Sequence, residues 1–120
     1  MVTLNEGIKQ IEELSIKKGW GNNPATKIYY AMIELGEAGD TWKHRNDPAY
    51  LKEKLGITLE QVPGAVAEEL IDTIIYCLHG LRCIGIYDGD KIFADKMEVN
   101  EGRNRIYVDD MEIEDYRRAF

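Results

Sequence analysis

The sequence predicts an all-α protein, a four-helix-type bundle with short loops. Three observations carry this. Apolar residues recur at three- and four-residue spacing in four long stretches, the period of an amphipathic helix. Each stretch is bracketed by residues that start or stop helices. Val and Thr are scattered and no alternating apolar–polar run persists, so no sheet is expected.

The first helix is expected over residues 3–18. Ile8, Ile11 and Leu14 fall at helical spacing, and Gly19 after Lys17 and Lys18 is a natural stop. Gly19 to Pro24 forms a loop that ends with Asn23 as N-cap and Pro24 at the first helical position. The second helix then runs to about Arg45, carrying Ile28, Ala31, Met32, Leu35 and Ala38. Asn46-Asp47-Pro48 closes it and opens a short helix, Pro48 to Leu55, stopped by Gly56. Thr58 and Gln61 match a capping box, and Pro63-Gly64 lead into a third long helix reaching about Ile84. Its apolar residues (Val66, Leu70, Ile71, Ile74, Ile75, Leu78 and Leu81 among them) cover most of the circumference, which predicts burial nearly all round. After a turn at Tyr87 to Asp90, a fourth long helix is expected to about Asn104, with Ile92, Phe93 and Met97 on one side.

At 120 residues the chain reads as one domain, 1–120, with 105–120 a C-terminal extension suited to packing on a partner subunit. The length allows a core without disulfides. Net charge is −7 and the pI about 4.8. No basic stripe offers a counterion-release surface, which argues against duplex nucleic acid. Cys77 and Cys83 fit neither a redox pair nor a zinc site and read as reduced, buried thiols. No apolar leader opens the chain, and its longest apolar stretch, residues 70–86, is broken by Asp72, His79 and Arg82. A cytoplasmic, reducing compartment and no membrane partner are expected.

Two pairs of carboxylates stand inside these helices: Glu34-x-x-Glu37 in the second and Glu69-x-x-Asp72 in the third. Residues three apart share a face, about 4.5 Å apart along the axis. Each pair can aim oxygens at one point, and four converging carboxylates repel unless a cation lies between them. Di-iron bundles add a Glu-x-x-His, but neither His44 nor His79 stands three residues after an acid. Both histidines read as surface or satisfied polar residues. All-oxygen ligation therefore points to Mg²⁺, with Mn²⁺ as a substitute. In the fourth helix Lys96, Asn100 and Arg103 stand at i, i+4 and i+7, with Arg105 close behind, a set of donors suited to phosphate oxygens.

In this order and spacing the residues resemble the MazG-like branch of the all-α nucleotide pyrophosphohydrolases. Glu34-x-x-Glu37, Glu69-x-x-Asp72, and Lys96-Met97-Glu98-Val99-Asn100 with trailing Arg103, Arg105 and Tyr107 carry the likeness. Gly19-Trp20-Gly21, Asn23-Pro24 and Lys27 resemble that family's opening, and Arg105-Ile106-Tyr107 departs from its common Arg-Pro-Tyr. The resemblance implies Mg²⁺-dependent hydrolysis of a nucleoside triphosphate to monophosphate and pyrophosphate, in a homodimer or homotetramer. On that reading Glu34, Glu37, Glu69 and Asp72 hold the metal and Glu37 holds or deprotonates the attacking water. Lys96, Asn100, Arg103 and Arg105 position phosphates, with Lys27 a further phosphate contact. Trp20, in a Gly-flanked loop, stacks on the base. Asp40 reads as a surface residue. The alternative is a non-catalytic helical module that binds nucleotide or metal, or serves as an interaction subunit.

Overall fold

A computed structural model describes residues 2–103, 107–108 and 111–112. The described residues are overwhelmingly helical. The chain divides into two compact units, Met1–Gly89 and Asp90–Phe120.

The first unit is built on three long helices. α1 (Leu4–Lys18) opens on Thr3, whose side chain accepts from Glu6 N–H, and closes on Gly19 at φ 70°. α2 (Pro24–Lys43) opens on Asn23, which accepts from Ala25 N–H. α3 (Pro48–Tyr50), capped by Asp47, runs into a π-helical turn, Leu51–Leu55, and ends at Gly56, φ 67°. A 3₁₀ turn, Leu59–Gln61, follows, with Gln61 Oε1 accepting from Thr58 N–H at 2.9 Å. α4 (Val62–Cys83) then packs along α2, and α1 packs on α4. Contact between α1 and α4 is close at Gly7, where a Cβ would sit 3.0 Å from Leu78 Cδ1.

α2 and α4 are antiparallel, because their cross-contacts run in opposite order along the chain. A Cβ on Gly80 would lie 3.8 Å from Lys27 Cβ. Further along, Tyr30 meets Tyr76 with ring centroids 5.5 Å apart. Glu34 and Glu37 then converge on Glu69.

The core is small: Ile8, Ile11, Ala31, Ala38, Leu51 and Val62 are its buried apolar residues. This corrects the expectation for α4. Leu70, Ile71, Ile74 and Ile75 are between 41% and 55% exposed. With α1 and α2 as its helical neighbours in this unit, α4 has more apolar circumference than the unit can cover. Cys77 is likewise exposed and Cys83 intermediate, both free thiols, rather than buried.

The second unit contains α5 (Gly89–Glu101), which starts inside the expected turn and stops before the expected end. Gly102 N–H bonds back to Glu98 O and Arg103 N–H to Asn100 O, closing the last turn. In the tail, where no sheet was expected, β1 (Tyr107–Val108) and β2 (Met111–Glu112) form a two-residue antiparallel ladder. No helix among the described residues is long and apolar enough to cross a membrane.

Candidate metal centre and adjoining cavity

Glu34, Glu37 and Glu69 each bring one carboxylate oxygen within 4.8 Å of the other two. Glu34 and Glu37 share a face of α2 by their three-residue spacing, and the antiparallel packing sets Glu69 of α4 against them. On each helix a threonine hydroxyl four residues on donates to the carbonyl of a cluster residue. Thr41 bonds Glu37 O at 3.0 Å and Thr73 bonds Glu69 O at 2.8 Å, so neither hydroxyl competes for the carboxylates.

Glu69 is the strained member. Its Oε2 is sealed from solvent, and no described group donates a hydrogen bond to it. Hydrogen-bond sharing with Glu34, then burial, then the same sharing with Glu37 push its carboxyl from the usual 4.5 up to about 8. Two ionised carboxylates cannot hydrogen-bond each other. The cluster is relieved either by a proton held on Glu69 or by a cation among the three. An orphaned acid oxygen facing two others is a donor set suited to a hard divalent ion.

Asp72 does not join this triad. It is exposed, about 60° round the helix from Glu69, and shares a cavity wall with Glu34. The predicted set of four thus meets as three, with Asp72 beside it.

The cavity has a volume of about 440 Å³, within the range of about 300–1,000 Å³ that small-molecule sites occupy. Its walls come from two stripes two helical turns long: Lys27, Tyr30 and Glu34 on α2, and Asp72, Tyr76 and His79 on α4, with Trp20 from the preceding loop. Seven residues separate Lys27 from Glu34 and Asp72 from His79, about 10 Å along each axis. One end of the cavity is therefore acidic, the middle is a pair of tyrosine rings, and the far end is Lys27, His79 and Trp20.

Lys27 is only 9% exposed and its side chain has no ion-pair or hydrogen-bond partner among the described residues. It also sits in the first turn of α2, where the helix dipole disfavours a cation. His79, expected at the surface or satisfied, is 3% exposed, with its ring centroid 5.9 Å from that of Trp20. Burial first, then Lys27 and Arg82, hold its imidazole below the usual range. Near the acidic end, burial, then Glu34 and Asp72, push the Tyr76 hydroxyl up.

Asp40, expected at the surface, is half-buried and accepts from Tyr50 Oη at 2.8 Å, while His44 stacks on Tyr50 at 3.6 Å between centroids. This bond, ahead of burial, raises the Tyr50 hydroxyl. It fastens the short helical insertion to the end of α2, beside a second cavity lined by Glu37, Asp40 and Glu69.

Lys96 and Asn100 are exposed on α5. Arg103 is also exposed but lies past the helix end, so the three do not form the continuous helical face expected of them. Arg105 lies outside the described residues. Tyr30 and Tyr76, which the sequence offers as base-stacking rings but more readily as core or rim aromatics, line the cavity, as does His79. The signal was present: Asp72, Tyr76 and His79 stand at i, i+4 and i+7, in step with Lys27, Tyr30 and Glu34.

Comparison with protein families, with curated proteins and with solved structures finds no match for this chain.

Proposed function

We propose that the protein is a Mg²⁺-dependent nucleoside triphosphate pyrophosphohydrolase. The observation that carries this is the meeting of Glu34, Glu37 and Glu69 around an unpartnered acid oxygen, with Glu34 also lining one end of a cavity whose other end holds Lys27, a side chain without a described partner, and aromatic rings. Acids to hold a cation, a cation to attract an anion, and rings to stack a base are the three recognition elements that a metal-bound nucleotide requires.

Glu34, Glu37 and Glu69 would hold the dication, with Asp72 at the rim. Bound there, the ion would supply charge neutralisation for the phosphate oxygens and acidify water. Glu37, the exposed member of the triad, takes the proton of the attacking water. That water's oxygen forms the new bond to phosphorus as the α–β anhydride bond breaks, leaving monophosphate and pyrophosphate. Lys27 offsets the protein's acidic field at the far end of the cavity, about 10 Å from the acids. Lys96, Asn100 and Arg103 are exposed donors of the second unit.

The apolar surface left by the first unit supports a homo-oligomer, dimer before tetramer. Ile28, Met32, Leu35, Leu81 and Ile84 line a groove of about 510 Å³ between α2 and α4, and a second copy would bury it.

The test is product analysis with purified chain, Mg²⁺ and a panel of nucleoside triphosphates. Pyrophosphate release, lost in Glu37→Gln, is the expected result. Release of orthophosphate alone rejects the reaction. Nucleotide binding without any product favours a binding module.

A further inference from the structure

The cavity end farthest from the acids is furnished only with hydrogen-bond donors. Lys27 can donate and never accept. His79 Nε2 lies 3.5 Å from Arg82 Nη1, and a guanidinium only donates, an arrangement that favours the imidazole proton on Nδ1. Arg82 is itself pinned, donating from Nη1 to Asn22 Oδ1 at 2.9 Å and to Ser15 Oγ at 3.3 Å. It thus acts as a positioning residue for the His79 ring. No described group bonds Nδ1, on a side chain that is almost wholly buried and lines the cavity. Both donors open onto the cavity, where a ligand can supply the acceptors that no described residue provides. Trp20 flanks them and is 43% exposed, leaving its ring accessible.

Resting on the nucleotide reading above, we propose that Trp20, Lys27 and His79 form a base-reading site selective for rings that present a keto oxygen, such as uracil and hypoxanthine, over their amino counterparts, cytosine and adenine. A keto oxygen accepts from Lys27 or His79. An exocyclic amine turned toward the same groups sets donor against donor and leaves all of them unpaired, the arrangement that gives strong discrimination. The surrounding rings explain why the acceptor is read on a planar base: phosphate needs no aromatic wall.

Matched substrate pairs test this. Both dUTP against dCTP and ITP against ATP exchange a keto oxygen for an amine, and with it the adjacent ring N–H for a bare nitrogen. The wild-type protein should show kcat/KM at least about ten-fold higher for the keto member of each pair. In His79→Phe, which keeps a ring in the buried slot, that ratio should fall toward one. Trp20→Ala should raise KM for all four while leaving the ratio in place. Equal rates within each pair in the wild-type protein, or a ratio unchanged in His79→Phe, overturn the proposal. If Lys27→Met and His79→Phe instead raise KM equally for every substrate and also abolish binding of inorganic tripolyphosphate, the donors hold phosphate and the proposal fails.

A second measurement needs neither turnover nor a buried substitution. In Trp42→Phe, Trp20 is the sole tryptophan. Uridine should quench its fluorescence at roughly ten-fold lower concentration than cytidine without metal. Keto-selective quenching with no hydrolysis of any triphosphate would remove the enzymatic reading and keep the base site. Hydrolysis without keto preference would do the reverse.

Discussion

Glu34 and Glu69 lie on different helices, yet their carboxylate oxygens approach within 4.8 Å, and Glu69 Oε2 has neither solvent nor a described donor. A fold that brings these two acids together carries an electrostatic cost that something else must offset. Stability and function are therefore tied at this point.

Glu69→Gln should stabilise the metal-free protein. The amide removes one like charge and adds a donor facing Glu34 and Glu37. A gain on the order of 1 kcal/mol, roughly 4 °C in Tm, is expected by thermal denaturation with chelator present. The same substitution should erase the Tm increase that Mg²⁺ gives the wild-type protein.

The metal-free protein should lose stability as pH rises. The folded Glu69 carboxyl titrates at about 8 and the unfolded one near 4.5, so between those values the native state holds a proton that the unfolded chain has released. The contribution is full below the lower value and is lost as pH passes the upper one. Urea denaturation at a series of pH values should show this decline in the wild-type protein and a flatter profile in Glu69→Gln. Saturating Mg²⁺ should flatten the wild-type profile as well.

Lys27→Met should trade function for stability. Removing a buried cation without a described partner from the first turn of α2 relieves burial and dipole costs together. Methionine keeps much of the stem's packing. The unfolding free energy from urea denaturation should rise by about 1 kcal/mol, while nucleotide affinity falls about ten-fold. A loss of stability would show that Lys27 is paired.

Ile28→Glu combined with Met32→Glu should disperse the oligomer. Both residues are more than half exposed in the single chain and line the apolar groove. Sedimentation should report a multimer for the wild-type protein and a monomer for the variant.

Much of this was legible in the sequence, because local chemistry decides it. Gly19, Asn23 and Gly56 each cap a helix where the sequence puts them, and Thr3, read as the first helical residue, is the N-cap. The pairing of the acids was half legible. Three-residue spacing puts Glu34 with Glu37, but the rotation of α4 against α2 selects Glu69 and turns Asp72 aside, and no local rule fixes that rotation. Which of the two places His79 takes, surface or interior, was not legible, because a histidine's burial depends on what packs over it. Here Trp20 and Arg82 do so, from a loop and from one turn on. The apolar girth of α4 suggested burial, yet the first unit has too few helices to cover it.

Titration with Mn²⁺ followed by electron paramagnetic resonance puts the acid cluster to the sharpest test. The wild-type chain should quench the free-ion signal at saturable stoichiometry, compete with Mg²⁺, and lose this binding in Glu34→Gln and in Glu69→Gln. Undiminished free Mn²⁺ in the wild-type sample, or equal binding in both variants, would contradict a dication held between these helices.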